Sequence, residues 1–146
     1  MQKLNFPDAN LKIKLVEGSM QIFDQVRKKY FILTPEEWVR QHVIYYLNRI
    51  KKYPISLMAV EKMIQYNHLK TRADIVVYNN RGKANMIVEC KSPNVKITQD
   101  TFNQIAKYNY NVKVKLLFVT NGINHFCCNM DYTNNKIDFL AEIPSF

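Results

Sequence analysis

A segment of twenty residues, RADIVVYNNRGKANMIVECK at positions 72–91, constrains the fold of this chain more than any other. Two apolar runs, 75–77 and 86–88, flank the turn-like sequence NNRG at 79–82. This arrangement is typical of a β-hairpin, because Asn and Gly accept the backbone conformations of tight turns. We expect the aspartate of the segment to open the first strand and its Glu-Cys-Lys sequence to end the second. The chain should therefore contain a sheet that includes this hairpin.

Three charged side chains of the hairpin are expected to meet at one end of the sheet. A turn centred between residues 81 and 82 sets Asp74 directly opposite Glu89. Since side chains alternate along a strand, Glu89 and Lys91 project from one face and Cys90 projects from the other. Mg²⁺ prefers hard oxygen ligands and is usually held by one or two carboxylates together with several waters. The pattern therefore predicts a divalent-metal site with a cation beside it.

The expected metal ligands are the carboxylates of Asp74 and Glu89 and the backbone carbonyl of Cys90, with Mg²⁺ as the ion and Mn²⁺ as a substitute. Such an ion lowers the pKa of a bound water and neutralises charge that develops on phosphate. Lys91 is expected to orient or deprotonate the attacking water, or to stabilise charge in the transition state. The alternative is a solvated rim of surface ion pairs, each worth less than about 1 kcal/mol.

The strongest helix pattern begins at Thr34, a residue type that caps helix N-termini. Pro35 fits the first helical position, and Glu37 stands three residues after the cap. We expect Glu37 to accept a reciprocal capping hydrogen bond from Thr34. Apolar residues of one helix face follow at positions 39, 43, 46, 47 and 50.

The remaining pattern predicts an α/β fold, a three-layer α/β/α sandwich around a mixed β-sheet, in a single domain. The expected elements after the first helix are a strand over 55–66, the hairpin, a helix over 99–109 capped by Thr98, a buried strand over 114–120, and strands over 125–130 and 136–140. Residues 1–25 are expected to be an N-terminal arm and residues 26–146 the core. The sequence does not determine the order of strands in the sheet.

Several segments together resemble a known family. Asp74 followed by Glu89-Cys90-Lys91 is similar to the PD-(D/E)xK nuclease signature, although Ala73 stands where a proline often precedes the aspartate. LTPEEWVRQ, RADIVVY, VECKSP, a Gln-xxx-Tyr pair and FVTNG, in this order, resemble the nuclease domain at the N-terminus of type I restriction enzyme R subunits, in the small stand-alone form found in bacteria. The resemblance covers the chain from about Val26 onward. It implies a restriction-endonuclease-like fold and a metal-dependent endonuclease that hydrolyses DNA.

The resemblance also implies roles for residues on the two helices. Nucleases of this class carry a helical acid into the site; Glu36 is preferred over Glu37, because its side chain points along the inward stripe of the helix. Related subunits place this acid about four residues before an arginine, which matches Glu36 and Arg40. Gln104 and Tyr108 are four apart and share a helix face, and the resemblance implies that they lie beside the metal site and position the substrate.

Composition favours a polyanionic partner. The chain has 21 basic and 12 acidic residues and a net charge of +9, and neutralisation of phosphate by such charge supplies sequence-independent affinity. We expect the partner to be nucleic acid, most of all double-stranded DNA, with RNA left open. The chain should act as a homodimer or with subunits of a restriction complex, although the sequence shows no dimer seam.

The same composition limits the other function classes. No apolar run approaches the roughly 18 residues of a membrane helix, so we expect no membrane partner. The three cysteines do not form a disulfide framework, which suits the cytoplasm. Only three glycines are present and no phosphate-binding Gly-rich loop occurs, so we expect no ATP-driven motor. The alternative function is a non-catalytic nucleic-acid-binding or scaffolding module that keeps the nuclease fold.

Overall fold

The computed structural model describes residues 1–146, which form nine β-strands and two α-helices. In chain order these are β1 (Ile13–Val16), β2 (Ser19–Asp24), β3 (Lys29–Ile32), α1 (Pro35–Tyr45), β4 (Met58–Tyr66), β5 (Leu69–Tyr78), β6 (Ala84–Cys90), α2 (Gln99–Tyr110), β7 (Leu116–Thr120), β8 (His125–Asp131) and β9 (Lys136–Leu140). A π-helical turn over Tyr46–Ile50 extends α1, and a 3-10 turn over Ile55–Leu57 delays the start of β4 relative to the expected strand. Neither α-helix is long and apolar enough to span a membrane.

The central sheet contains β4 to β9, and each strand lies beside its neighbour in the chain. Only β6 and β7 run parallel; the other four pairs of neighbours are antiparallel. Parallel neighbours need a crossover connection, and α2 supplies it because it lies between β6 and β7 in the chain. The sheet is therefore mixed, as expected.

One helix packs on each face of the central sheet. Val39 and Val43 of α1 share a buried cluster with Val88 of β6. Phe102 of α2 shares a second buried cluster with Ile87 of β6. Adjacent residues of β6 thus belong to opposite clusters, as the pleat of a strand requires. The predicted three-layer α/β/α sandwich around a mixed sheet is confirmed.

The hairpin of β5 and β6 has the register expected from the sequence. Ile75 pairs with Val88 and Val77 pairs with Met86. The register shifts after Val77, where the connection turns back toward β6. Continued by one residue in the other direction, the same register sets residue 74 opposite residue 89.

The expectation that Asp74 opens its strand was wrong. β5 begins at Leu69, five residues earlier, because β4 and β5 form a long hairpin whose pairing continues to Tyr66 and Leu69. Asp74 therefore lies within β5, at the point where β6 ends and only β4 continues beside it.

Strands β1 to β3 form a separate antiparallel sheet. Ile22 and Asp24 of β2 are fully buried. Asp24 accepts hydrogen bonds from the backbone N–H groups of Val26 and Arg27, and it pairs with the Arg27 guanidinium at 2.6 Å. The limit placed at residue 25 for an N-terminal arm falls between β2 and β3 of this sheet.

Candidate active site

Asp74 on β5 and Glu89 on β6 lie side by side where β6 ends. The Oδ2 atom of Asp74 accepts a 2.6 Å hydrogen bond from the backbone N–H of Cys90, which holds the carboxylate against the end of that strand. The pKa of Glu89 is raised to about 8, mainly by burial. The negative charge of Asp74 and a hydrogen bond between the two side chains contribute to this rise. Two carboxylates so close repel each other unless one holds a proton or a cation lies between them.

This carboxylate pair fits Mg²⁺ by the chemistry of its donors. The ion takes oxygen ligands and usually keeps several waters, so one or two carboxylates are enough. No group of three or more His, Cys, Asp or Glu side chains is arranged around one point. Asp74, Glu89 and the backbone of Cys90 lie together as the sequence predicted, and their role as ligands stays a prediction.

Lys91 stands beside the pair. Its backbone N–H donates a 2.8 Å hydrogen bond to the carbonyl of Thr120 on β7, which ties the residue to the next strand. Its positive charge opposes the rise in pKa of both Glu89 and Glu36. The ammonium therefore lies within electrostatic reach of both acids.

Glu36, in the first turn of α1, reaches the same place from the helix. Burial raises its pKa, and the charge of Asp74 is the second cause, while Arg40 and Lys91 act in the opposite direction. Its side chain is 47% exposed, and its Oε1 atom lies 3.4 Å from Nη2 of Arg40. Glu36 is thus an accessible carboxylate near Asp74.

Glu37 is occupied differently. Its carboxylate accepts hydrogen bonds from Arg27 at 2.5 Å, Arg40 at 2.9 Å and Gln41 at 3.3 Å, and its side chain is only 7% exposed. Both of its oxygens are therefore committed within the protein, which leaves Glu36 as the helical acid that can face a metal or substrate.

The capping prediction for α1 was half right. The Thr34 hydroxyl accepts a 3.0 Å hydrogen bond from the backbone N–H of Glu37, as expected of an N-cap. The reciprocal bond does not form, because the N–H of Thr34 donates to the carbonyl of Ile32 and the Glu37 carboxylate is held by Arg27 and Arg40.

Gln104 and Tyr108 approach from the opposite face of the sheet. A cleft of about 310 Å³ is lined by Arg72, Glu89, Gln104, Ile105, Tyr108 and Asn109. Both predicted residues are exposed on α2 and therefore border the same open space as Glu89.

Sequence reasoning gave no role at the site to Arg40 and Glu61. The guanidinium of Arg40 lies 3.4 Å from Asp74 and 3.8 Å from Glu61, and its side chain is 6% exposed. Burial alone would lower the pKa of Arg40, but its acidic neighbours, Glu37 foremost, raise it. Arg40 stands four residues after Glu36 in the sequence, but this spacing did not indicate a contact with Asp74.

Glu61 sits on β4 at the gap in the register between the pairs Val60–Ile75 and Lys62–Ala73. Its φ of 52° is left-handed, and it therefore departs from strand geometry beside Asp74. It also pairs with Arg72 at 3.4 Å. No motif spacing in the sequence singles out this glutamate.

The family of the chain follows from residues 35–144, which match the model described as the type I restriction enzyme R protein N terminus. This match covers most of the chain and includes Asp74, Glu89, Cys90, Lys91, Glu36, Gln104 and Tyr108. The chain belongs to this family.

One solved structure supports the fold, and a second one is more distantly similar. A fragment of a proposed HsdR subunit of a type I restriction enzyme from Vibrio vulnificus YJ016 is similar with a TM-score of 0.54 and 20% identity, over 77% of this chain and 24% of that one. This chain thus spans about a quarter of the length of that relative. A proposed nuclease of DUF820 from Anabaena variabilis ATCC 29413 has a TM-score of 0.46 and 12% identity, over 94% of this chain and 80% of that one. No curated protein matches the chain.

The family match confirms the resemblance and, with the Vibrio structure, the restriction-endonuclease-like fold. In this R-protein N-terminal domain, the acids Asp74, Glu89 and Glu36 lie on β5, on β6 and in the first turn of α1. The sheet of β1 to β3 lies outside the matched residues.

Proposed function

We propose that the chain is a Mg²⁺-dependent endonuclease that hydrolyses phosphodiester bonds of double-stranded DNA. The observation that supports this most is the Asp74–Glu89 pair, in which one carboxyl has a pKa near 8 and Lys91 stands beside it. A pair that repels itself in this way binds a divalent cation favourably, and a structural rim of ion pairs would not place two acids together.

Each residue then has a distinct task. Asp74, Glu89 and the Cys90 carbonyl would hold the metal, which when bound supplies Lewis acidity and an activated water. Lys91 would orient that water or take its proton. Glu36 would accept a hydrogen bond from a water near the metal.

The residues around this centre position it and the substrate. Arg40 keeps the Asp74 carboxylate in place from the buried side, since its guanidinium lies 3.4 Å from Oδ1. Gln104 and Tyr108 contact the DNA backbone from the cleft that they share with Glu89. Because these side chains are held in place before the reaction, less free energy is needed to reach the transition state.

DNA is the preferred substrate for two reasons. The net charge of +9 suits a phosphate polymer, and the family is that of R proteins of type I restriction enzymes. Subunits of a restriction complex, or a second copy of the chain, are the proposed protein partners, and the cytoplasm is the proposed location.

Cleavage of supercoiled plasmid and calorimetric titration of Mn²⁺ test the proposal in the same buffers. We expect Asp74→Asn to lose both metal binding and cleavage. Lys91→Ala should keep metal binding but lose cleavage by at least about 100-fold. Asp138→Asn, which removes an exposed acid from β9, is the matched control and should behave as wild type. Cutting at the wild-type rate by both site variants would refute the proposal.

One observation favours the rival function, a non-catalytic DNA-binding or scaffolding module. Arg40 already places a cation 3.4 Å from Asp74, so the pair is partly neutralised without metal. This rival predicts salt-sensitive DNA binding that Mg²⁺ does not change, together with no cleavage by the wild type.

A further inference from the structure

We propose that the outer part of the β4–β5 hairpin, residues 62–73, is an arm that enters a groove of duplex DNA beside the active site. We call these residues the β-arm. The inference deepens the proposed function, on which it rests for the identity of the substrate, and it assigns a surface that would hold the DNA.

The β-arm extends beyond the rest of the sheet. β6 pairs with β5 no farther than Ile75, whereas β4 and β5 continue to pair from Lys62–Ala73 to Tyr66–Leu69. These five pairs form a two-stranded ribbon of about 17 Å. Asn67, with a left-handed φ of 56°, makes the tight turn at its tip.

The root of the β-arm is anchored and its outer part is free. Ala73 and Ile64 pack into the buried cluster under α2, and Thr71 is 1% exposed. From residue 65 to residue 70 every position is exposed. The ribbon can therefore present its outer residues to a partner without losing its position on the sheet.

The charge of the β-arm suits a polyanion. Residues 62–73 include Lys62, Lys70 and Arg72 and no acid. Arg72 pairs with Glu61 at the root, while Lys62 and Lys70 are exposed. Lys70 and Arg72 share one face of the ribbon, and Lys62, paired with Ala73, lies on the other. Cations thus stand on both faces, as phosphate strands stand on both sides of a groove.

The shape of the β-arm selects duplex DNA. The major groove of B-DNA, about 12 Å wide, admits a two-stranded β-ribbon. The major groove of an RNA duplex is deep and narrow and does not. Met63, Tyr66 and Leu69 are between 44% and 51% exposed, and such side chains make apolar contacts with base edges such as the thymine methyl group.

The β-arm also leads to the candidate active site. Arg72, at its root, lines the cleft of about 310 Å³ that also contains Glu89, Gln104 and Tyr108. A duplex held by the outer lysines would therefore pass its backbone close to the carboxylates.

Fluorescence anisotropy with a labelled DNA duplex, in Ca²⁺ and at several salt concentrations, tests the β-arm without cleavage. The variant is Lys62→Ala combined with Lys70→Ala. The matched control is Arg81→Ala combined with Lys83→Ala, which removes two exposed cations from the turn at the other end of β5. We expect the β-arm variant to bind at least about tenfold more weakly, and its dependence of log Kd on log salt to be shallower by about 2. The control should bind within about twofold of wild type.

The outcomes separate this inference from the proposed function. If the wild type binds DNA and never cleaves it, while the β-arm variant still loses affinity, the nuclease proposal fails and the β-arm stands. If the wild type cleaves and both double variants bind equally well, the β-arm proposal is overturned and the nuclease proposal stands. Absence of DNA binding by the wild type also overturns the β-arm proposal.

Two further measurements test whether the β-arm binds a partner other than duplex DNA. Equal affinity for an RNA duplex of the same sequence would overturn the assignment to a DNA groove. Tyr66→Ser combined with Leu69→Ser should weaken DNA binding. If instead it leaves DNA binding intact and dissolves a wild-type dimer in sedimentation, the tip is an interface between copies of the chain, and the proposal is overturned. Circular dichroism confirms that each variant is folded.

Discussion

The two sides of the Asp74–Glu89 pair differ in how their polar groups are held. On the α1 side, Arg40 and Glu37 are 6% and 7% exposed and bind each other at 2.9 Å. On the α2 side, Gln104 and Tyr108 are exposed and border an open cleft. A buried charge that loses its partner is costly, whereas an exposed polar group can be removed at little cost to stability. The α1 side therefore has the features of a support for the carboxylates, and the α2 side those of a surface for substrate.

The two neighbouring glutamates of α1 give the largest predicted contrast. Glu37→Gln should destabilise the protein by about 3 kcal/mol or more, because Arg27 and Arg40 would lose their shared carboxylate in a buried place. Glu36→Gln should leave the free energy of unfolding within about 0.5 kcal/mol of wild type and reduce cleavage instead. Urea denaturation and plasmid cleavage measure the two effects. Equal loss of stability in both variants would remove the distinction between them.

A second prediction concerns the α2 side. Gln104→Ala should lower the cleavage rate by about tenfold, equivalent to about 1.4 kcal/mol, because a contact that positions the substrate is lost. Its unfolding curve should match that of wild type, since the side chain is exposed. Gln99→Ala, at the first residue of α2, is the control. A large loss of stability in Gln104→Ala would mean that this side also supports the fold.

The cap of α1 offers a smaller effect. Thr34→Ala removes the hydroxyl that accepts from the N–H of Glu37 at 3.0 Å and should cost about 1 kcal/mol. Glu36 and Glu37 both lie in this first turn. Cleavage should therefore fall in proportion to the fraction of molecules in which the first turn is unfolded. Thr34→Ser should restore the stability measured by thermal unfolding. No loss in the alanine variant would show that Arg27 and Arg40 alone hold this end of the helix.

The smallest expected effect is a loss of stability at low pH that depends on His42 of α1. Burial lowers the pKa of His42 below its usual 6.5, so the folded state binds a proton more weakly than the unfolded state. This contribution to stability is complete above pH 6.5 and falls as the pH drops below that value. Between pH 7 and pH 5, the loss of stability should therefore be smaller in His42→Gln than in wild type. His68→Gln, in the exposed turn of the β-arm, is the control; an equal loss in wild type and His42→Gln would contradict the prediction.

Local sequence determined much of this fold. The hairpin register followed from two apolar runs and a turn, and the helix starts at Thr34 and Thr98 followed from caps whose hydroxyls accept backbone N–H groups in the structure. The two-faced burial of β7 followed from its apolar sequence. These features depend on residues close together in the chain.

What sequence reasoning missed depends on distant contacts. The start of β5 was misplaced because residues 69–73 are stabilised by pairing with β4 and carry little apolar pattern of their own. Arg27, between β2 and β3, reaches Glu37 on α1. Glu61 on β4 meets Arg40 on α1 only when the helix packs on the central sheet. Strand order likewise depends on how α2 crosses the sheet. The roles of the site residues remain predictions, although the structure places them together.

The single parallel pair in the central sheet has a consequence for the newly made chain. In each antiparallel pair the two strands follow one another in the chain without a helix between them, and such local contacts form early. β6 acquires its second neighbour only after α2 and β7 have followed, and the N–H of Lys91 finds the Thr120 carbonyl only at that stage. The hairpin of β5 and β6 can thus bring the two carboxylates together before Lys91 is tied to β7. A partly synthesised chain that lacks β7 would therefore carry both acids without the strand that holds Lys91.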